Sequence, residues 1–409
     1  MNIKLIVLLL VVLSSVYRMI LNIVQYRSAN NPTPSNVADV YDAETYKKWK
    51  AYSAENCRLS MISTAVSCIV TLCVLASNAY SAFASLFPEG IRWQFFAVVL
   101  LETVIDIGVG SIFGYVNTMV IEQKYGFNRS TLKTFVIDQL RSFAIELVLS
   151  LALVWILSAL HMSMGDWMIV LFAGAVFVIS LVISFLYPFI SRMGNKFVPL
   201  EDGELKDRLM ALLTSHGYKV KAIEVMDASR RTTKLNAYFT GFGKMKTIVL
   251  YDNLVNAMSA DEICAVFAHE LGHGLNKDVL KQQIMNIGNL LLMAVVVWFA
   301  VRESSLHTAF GFANVNYGFG FILLSVGLGI LQPITGMAMN AYSRFAEYRA
   351  DRQAVKEGHG AAMITALKKL AKENFAHLSP SRVYVVLEYS HPPLSSRIEE
   401  VEKAMNSRS

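Results

Sequence analysis

The sequence predicts a mostly α-helical, polytopic membrane protein with a small α+β domain on the cytoplasmic side of the membrane. Three observations support this fold class. Hydrophobic residues fill 54% of the 409 positions and charged residues only 17%, a balance too apolar for an ordinary soluble protein. Seven segments are long and apolar enough to cross a bilayer. A longer polar stretch between the fifth and sixth of these segments shows helix-like and strand-like patterns.

The seven predicted spans fall into a group of five and a later group of two. The first group comprises Met1–Val24, Cys57–Phe87, Trp93–Val120, Phe135–Leu160 and Trp167–Ile190. The second group comprises Lys281–Val301 and Tyr317–Tyr342. The first span is not interpreted as a cleaved signal peptide, because its apolar run is long and no Ala-x-Ala site follows it. The spans divide the chain into four predicted regions, residues 1–194, 195–280, 281–342 and 343–409.

The distribution of basic residues among the loops predicts the orientation. The loops after the first, third and fifth spans contain most of them: Arg27, Lys47, Lys48, Lys50, Lys124, Arg129, Lys133 and the residues from Arg192 onward. By the positive-inside rule, we expect Met1 to lie outside, and the polar domain and Ser409 to lie in the cytoplasm. The net charge of +6 then reflects orientation and contact with lipid headgroups. No nucleic-acid partner is expected, because no basic patch is interleaved with aromatic residues.

Several ionisable residues lie within the predicted spans. They are Glu102, Asp106, Asp138, Arg141 and Glu146. Because charged groups are unfavourable in lipid, these side chains should face a protein interior or a water-filled cavity. Two interpretations remain open. The residues either form ion pairs that hold the helices together or face a substrate within the membrane.

The polar stretch after the fifth span is predicted to form a helix, a strand and a hairpin. Phe197–His216 should be helical, because its leucines fall on one face and a glycine follows. Lys219–Asp227 is predicted as a strand, and Asn236–Gly243 with Lys246–Tyr251 as a hairpin that turns near Gly243-Lys244. An edge strand here could bind an extended peptide through backbone hydrogen bonds. Without a metal site nearby, an ordinary small sheet would be the better interpretation.

The next helix carries the most informative motif, His269-Glu270-Leu271-Gly272-His273. Ser259 and Glu262 have the spacing of a capping box, which predicts where this helix begins. Imidazoles four residues apart share one helical face and can bind one metal ion, while Glu270 can accept a proton from a water molecule there. Gly272 is expected to leave space beside the metal. This pattern is typical of zinc peptidases, and the alternative is a solvated turn with two ordinary histidines.

Four further segments match the pattern of one known family. They are Ile121-Glu122 with Gly126-Phe127-Asn128 and Thr131; Asn236-Ala237-Tyr238-Phe239; Ser343-Arg344-Phe345-Ala346-Glu347-Tyr348-Arg349-Ala350-Asp351; and His391-Pro392-Pro393-Leu394 with Arg397. With these segments the chain resembles the type I CAAX prenyl proteases, which are integral-membrane zinc endopeptidases of the gluzincin type. The resemblance runs from the first span to about Arg397. The segment that follows the third span distinguishes the chain from the shorter stress proteases with four spans.

The resemblance implies a catalytic site with one Zn²⁺ ion per chain. The implied zinc ligands are His269, His273 and Glu347. Glu270 is the implied general base. Two neutral imidazoles and one carboxylate would leave the fourth tetrahedral position open, as a catalytic zinc site requires. Asp351 lies one helical turn beyond Glu347, where it could orient a ligating imidazole. The alternative for Glu347 is a surface carboxylate paired with Arg344.

The resemblance also implies residues that contact the substrate. His391 would donate a hydrogen bond to the developing oxyanion, and Arg397 would support the site. Asn236, Ala237 and Tyr238 would bind the backbone of the substrate. His391 has a second interpretation, because a His-Pro-Pro sequence also forms a rigid turn that could fix a loop.

The family's fold implies seven helices around a large, water-filled intramembrane chamber, with the zinc site at its cytoplasmic end. Residues 195–280 would then supply the substrate hairpin and the zinc helix, and residues 343–409 the third ligand. The family's substrates are isoprenylated CAAX peptides, from which the last three residues are released. The expected partners are therefore a peptide or protein substrate, lipidated or not, and membrane lipid.

We expect the protein in a bacterial cell membrane, because its soluble loops are short and it ends without an endoplasmic-reticulum retention signal. The endoplasmic-reticulum membrane is the alternative. In bacteria the substrate would be another membrane-associated peptide. Two further functions are considered: a quality-control protease for membrane proteins, and a scaffold or transporter with a structural zinc. The second requires a closed coordination sphere, and the sequence contains no fourth Cys or His at metal-binding spacing.

Overall fold

The computed structural model describes residues 2–88, 91–192, 194–240 and 245–407, and the chain is mainly helical within them. The helices are α1 (Ile3–Ser28), α2 (Ala43–Ala76), α3 (Ala79–Ala84), α4 (Ile91–Tyr115), α5 (Leu132–Met164), α6 (Met168–Arg192), α7 (Glu204–Ser215), α8 (Asp252–Ala257), α9 (Ala260–Leu275), α10 (Asp278–Arg302), α11 (Ser304–Thr308), α12 (Tyr317–Lys356), α13 (Gly360–Glu373), α14 (Arg382–Glu388) and α15 (Leu394–Asn406). The strands are β1 (Phe197–Pro199), β2 (Lys219–Met226), β3 (Ala237–Thr240) and β4 (Met245–Tyr251). A π-helical turn, Val116–Glu122, continues α4.

Six helical segments in the described ranges are long and apolar enough to cross a membrane. They are Ile3–Ser28, Ala43–Ala76, Arg92–Glu122, Leu132–Trp167, Asp278–Arg302 and Tyr317–Lys356. They correspond to the first four and the last two predicted spans. The predicted fifth span lies on α6, which contains the shorter apolar stretch Val170–Ile183. The prediction of a polytopic α-helical membrane protein with a small sheet-containing domain is therefore confirmed.

The membrane helices bury little of their surface against one another. Only 6–28% of the most apolar stretch of each candidate span is buried within the protein. A solid helical bundle would bury a larger share on helices of this length. Helices that face lipid on one side and an open interior on the other would show this low burial, as the predicted chamber requires.

Three of the ionisable residues in the spans, Glu102, Asp138 and Arg141, have specific partners. Tyr80 donates a hydrogen bond to Glu102. Asp138 accepts a hydrogen bond from Arg231, and one Asp138 oxygen lies 3.8 Å from Arg141 Nη1. Because Arg231 follows β2, this ion pair connects the membrane region to the polar domain. For Asp138 and Arg141 the structure favours the ion-pair interpretation.

The four strands form one sheet in the order β1-β2-β4-β3. β2 and β4 run parallel, and the other two pairs are antiparallel. The predicted hairpin is present as β3 and β4, although its predicted turn at Gly243-Lys244 lies outside the described residues. The predicted helix Phe197–His216 was too long at its start. Phe197–Pro199 pairs with β2 instead, because proline disfavours a helical conformation at the residue before it, and α7 begins only after Gly203, whose φ is 155°.

Helix α9 packs between the sheet and α12. Its residues Ile263, Phe267 and Leu271 are buried in one apolar cluster with Ile248 and Leu250 of β4. This cluster fixes the side of α9 that faces the sheet and turns its histidines toward α12.

The contact of α9 with α12 depends on Gly272. A Cβ atom at this position would lie 2.9 Å from Ala350 Cα and 2.9 Å from Gln353 Cβ. The expectation that Gly272 leaves space beside a metal was therefore wrong. The missing side chain lets two helices approach closely, and that approach brings the histidine motif to Glu347.

Candidate metal centre

Helix α9 begins with the predicted capping box. Glu262 N donates to Ser259 Oγ at 3.3 Å, and Ser259 N donates to Glu262 Oε2 at 2.8 Å. Glu262 also accepts a hydrogen bond from Lys369 of α13 at 2.8 Å. Burial opposes ionisation of Glu262, but Lys369 and the Ser259 N–H hold the pKa of this carboxyl below its usual value. The start of α9 is thus fixed to the neighbouring helix about two turns before the first histidine.

Three side chains from α9 and α12 meet at one point. His269 Nε2 lies 3.5 Å from Glu347 Oε2, and His273 Nε2 lies 3.4 Å from Glu347 Oε1. All three ligand atoms lie within 4.8 Å of one another. A tetrahedral ion with ligand bonds of about 2.1 Å holds its ligand atoms about 3.4 Å apart. Each imidazole Nε2 is therefore about as far from one oxygen of Glu347 as two ligand atoms of a tetrahedral site are from each other.

One buried oxygen of Glu347 lacks a hydrogen bond and would be stabilised by a cation. Its side chain is almost fully buried, and Oε2 accepts no hydrogen bond within the described part of the chain, although Arg397 Nη1 lies 3.3 Å away. An unsatisfied buried carboxylate oxygen is unfavourable, and a bound cation would satisfy it. The residues present therefore fit a metal ion. The alternative in which Glu347 is a surface carboxylate paired with Arg344 is wrong, because Glu347 is only 4% exposed and Arg344 contacts backbone carbonyls instead.

Each imidazole is held through Nδ1 by a second carboxylate. Asp351 Oδ1 lies 2.9 Å from His269 Nδ1, the position that its spacing from Glu347 predicted. Asp278 Oδ2 lies 3.0 Å from His273 Nδ1. With Nδ1 bound in this way, Nε2 of each ring is left to bind a metal.

Asp278 was not predicted from the sequence. It begins α10, directly after Lys277, whose φ of 54° turns the chain so that Asp278 faces back toward α9. Its second oxygen accepts hydrogen bonds from Tyr342 at 3.0 Å and from Arg349. Burial opposes the charged form of His273, but Glu347 and Asp278 raise the pKa of this imidazole to about 9 in the metal-free protein. Two carboxylates therefore face His273, an arrangement that suits a bound cation.

Arg397 connects two of the carboxylates. Its Nε donates to Asp351 Oδ2 at 2.9 Å and its Nη2 to Asp351 Oδ1 at 2.7 Å, while Nη1 lies near Glu347. This bidentate geometry fixes the orientation of Asp351 and hence of His269. The structure thus places Arg397 behind the metal ligands.

Glu270 and His391 are the more open side chains of the site. Glu270 is partly buried on α9, and its carboxylate makes no hydrogen bond within the part of the chain that the structure describes. His391 Nδ1 lies 3.0 Å from Glu347 Oε1, but the side chain is 64% exposed. Both groups are therefore free to meet a molecule that enters the site.

The predicted substrate residues lie at the edge of the sheet. Asn236 Oδ1 accepts a hydrogen bond from Ala237 N at 2.9 Å, and Asn236 O accepts one from Tyr251 N at 3.1 Å. Ala237 and Tyr238 pair with Leu250 and Val249 of β4. Because β3 is last in the strand order, its outer edge can pair with an added peptide strand.

Two side chains that the sequence did not single out for this role hold the chain just before β3. Asn374 Oδ1 accepts from Leu235 N at 2.9 Å, and Asn374 Nδ2 donates to Leu235 O at 3.1 Å. Glu122, at the end of the third span, accepts from Lys234 Nζ at 3.1 Å and from Tyr52 Oη at 2.5 Å. These contacts join the edge strand to both the membrane region and the C-terminal segment.

Comparisons with known proteins give matches over nearly the whole chain. Residues 199–405 match the model described as Peptidase family M48, and residues 4–196 match the one described as CAAX prenyl protease N-terminal, five membrane helices. A CAAX prenyl protease 1 homolog of Oryza sativa subsp. japonica is 30% identical over 417 residues, which cover 97% of each chain. The homolog of Arabidopsis thaliana is 30% identical and covers 95% of this chain and 94% of its own. The crystal structure of S. mikatae Ste24p superimposes with a TM-score of 0.92 at 26% identity, covering 98% of this chain and 99% of that one.

Proposed function

The chain belongs to peptidase family M48 and is a membrane metalloendopeptidase of the CAAX prenyl protease type, and on that premise we propose that His269, His273 and Glu347 bind one catalytic zinc ion. The observation that carries this proposal is that the Nε2 atoms of His269 and His273 each face one oxygen of the buried Glu347 carboxylate, and that the oxygen facing His269 accepts no hydrogen bond in the described part of the chain. Two imidazoles and one carboxylate are a donor set that zinc prefers. The metal-binding group found in the described residues has three members, which leaves a position for a reactant.

We propose the following roles for the surrounding residues. Zinc would act as a Lewis acid that polarises the scissile carbonyl and activates the attacking water. Glu270 accepts the proton of that water and passes it to the leaving amine. His391 donates a hydrogen bond where negative charge develops on the former carbonyl oxygen. Asp351, itself held by Arg397, keeps the His269 ring in position.

We propose that the substrate is the C-terminal peptide of a membrane-associated protein, isoprenylated on a CAAX cysteine and cut to release three residues. The relatives named above carry CAAX prenyl protease in their names, and the match extends through the five membrane helices. The edge strand β3 can bind such a peptide in an extended conformation next to the site, with Asn236, Ala237 and Tyr238 along it.

The loop charges support a cytoplasmic position of the catalytic residues. The relatives named above come from plants and yeast, so the bacterial cell membrane expected from the sequence stays a prediction, with the endoplasmic reticulum as its alternative.

Glu270→Gln tests the catalytic proposal. The purified variant should retain about one zinc per chain and lose cleavage of an isoprenylated CAAX peptide, because the amide cannot accept the proton. Metal content and peptide cleavage are measured on the same preparation. Glu402→Gln, at an exposed position of α15, is the matched control and should remain active. Full activity of Glu270→Gln would refute the mechanism.

A further inference from the structure

Helix α12 presents four polar residues on one face toward the C-terminal segment. The residues are Asn340, Arg344, Glu347 and Asp351. Their spacings of four, three and four positions place them along a single helical stripe, here called the polar ridge. Glu347 and Asp351 belong to the metal centre. Arg344 lies about one turn before Glu347 and Asn340 about two turns before it, and neither has a part in the mechanism described so far.

The first half of the polar ridge holds the end of α14. Arg344 Nη1 donates to Val385 O at 2.9 Å and to Tyr389 O at 2.6 Å. Asn340 Nδ2 donates to Leu387 O at 2.9 Å. Val385 O also accepts a hydrogen bond from Tyr389 N at 3.3 Å. Carbonyls at the C-terminal end of a helix carry partial negative charge, so a guanidinium is well suited to bind them.

The chain held in this way leads directly to His391. Tyr389, whose carbonyl Arg344 binds, lies two residues before His391, and its hydroxyl contacts Gln25 Nε2 at 3.0 Å. On the other side, Pro392-Pro393 restricts the backbone. Between these two restraints, His391 Nδ1 lies 3.0 Å from Glu347 Oε1 on the polar ridge. One face of α12 therefore carries the third proposed metal ligand and also holds the segment that leads to His391.

We infer that Arg344 is a positioning residue that holds His391 where it can reach the developing oxyanion. This inference rests on the proposed role of His391. Arg344 contributes through two carbonyls, and the described structure shows no ion pair between it and Glu347, so its loss should move the loop and leave the metal ligands in place. Both bonds use the two N–H groups of one planar nitrogen. A lysine ammonium can reach the same carbonyls with less definite geometry.

Arg344→Met is the test, because methionine keeps an unbranched side chain and removes every donor. We expect kcat to fall about 10- to 100-fold, the usual effect of losing an outer partner of a catalytic group. KM, zinc content and melting temperature should stay near the values of the unmodified protein, and Arg344→Lys should recover part of kcat. Arg352→Met is the matched control on the same helix, since Arg352 pairs with Glu400 of α15 and makes no hydrogen bond or ion pair with residues 382–391 in the described part of the chain.

A double-mutant cycle separates this inference from the role of His391. If His391→Ala lowers kcat, adding Arg344→Met should lower it no further. A normal kcat in His391→Ala would refute the oxyanion role itself. If that role stands, a normal kcat in zinc-loaded Arg344→Met would overturn the inference. A double variant whose loss of kcat equals the product of the two single losses would also overturn it. Loss of zinc from Arg344→Met would also overturn it, because Arg344 would then support α12 and the metal ligands.

Discussion

His273 depends on one carboxylate that lies only five residues further along the chain. Asp278 binds Nδ1 of the ring and is itself held by Tyr342 and Arg349. This arrangement leaves Nε2 aimed at Glu347 and raises the pKa of His273 despite its burial. The same arrangement occurs at His269, where Asp351 is held by Arg397. In both cases a second carboxylate fixes the orientation of the imidazole that we propose as a metal ligand.

Asp278→Asn should weaken zinc binding about 10- to 100-fold, because the amide keeps the volume but removes the charge that orients His273 and favours a cation. Binding should also depend on pH. The metal-free imidazole holds a proton below its pKa of about 9, so zinc affinity of the unmodified protein should rise from neutral pH to about 9 and then level off. In Asp278→Asn this rise should end at a lower pH, since one of the groups that raise the pKa is gone.

Competition with a chelator over this pH range measures both effects. Asp261→Asn is the control, because Asp261 lies at the exposed start of the same helix and pairs with Arg208. Its zinc affinity should match that of the unmodified protein at each pH. Equal affinities for Asp278→Asn and the unmodified protein would show that Asp278 has no influence on the metal.

Which residues of the site could be predicted from the sequence depends on how close together in the chain the contacting residues lie. His269, Glu270 and His273 could be found from spacing alone, since residues four apart on a helix share a face. Glu347 required a family resemblance, because nothing in local periodicity connects α12 with α9. Asp278 was predicted neither from residue spacing nor from the family resemblance. Its contact depends on the left-handed conformation of Lys277, a residue type that does not favour it.

At the level of elements, the site depends on how closely α9 approaches α12. Gly272 lies on the contact between these helices, one residue before His273 and three residues after His269. Any side chain there would push apart the two helices that supply the metal ligands. The distance between the ligands is therefore set by packing outside the site itself.

Gly272→Ala should lower both the melting temperature and the zinc content of the protein. The added methyl group would meet Ala350 Cα and Gln353 Cβ at 2.9 Å, and the first of these is backbone that cannot rotate away. Such overpacking typically costs about 1–3 kcal/mol. Thermal unfolding in detergent and metal analysis of the purified variant provide the measurement.

Gly288→Ala is the control for this substitution. Gly288 lies within α10, and an added Cβ there would have no neighbour within 4 Å. Alanine favours a helix over glycine, so this variant should be as stable as the unmodified protein or slightly more stable. Full zinc content and normal stability in Gly272→Ala would show that the two helices can separate without harm to the site.

Helices were predicted correctly where the apolar pattern was long or where a capping motif marked the first residue of the helix. The spans and α9 followed from hydropathy, periodicity and the capping box at Ser259. Prediction was less accurate at Phe197–His216, because β1 is only three residues long and owes its form to pairing with β2. Gly272 was misinterpreted for a similar reason. A glycine beside a motif does not indicate from sequence alone which neighbouring helix requires it.

Considered as a whole, the molecule attaches one proposed metal ligand, Glu347, and the partner of another, Asp278, directly to membrane helices. α12 is one helix of 40 residues, about 60 Å long, which contains Pro333 and extends from its membrane end past Glu347 and Asp351. Asp278, the partner of His273, is the first residue of α10, another candidate span. The orientation of these helices in the bilayer therefore determines which side of the membrane the active site faces.

The orientation can be tested with single cysteines at Ser305 and Ser409, in a background without the four native cysteines. The loop charges predict that Ser305, near the start of α11, lies outside and that the C-terminus lies in the cytoplasm. In intact bacterial cells that express the protein, an impermeant maleimide should label Ser305→Cys and should reach Ser409→Cys only after permeabilisation. Cleavage of an isoprenylated peptide by both variants would show that each is folded. Labelling of Ser409→Cys from outside intact cells would reverse the orientation, and with it place Glu347 and the catalytic residues on the side opposite to the cytoplasm.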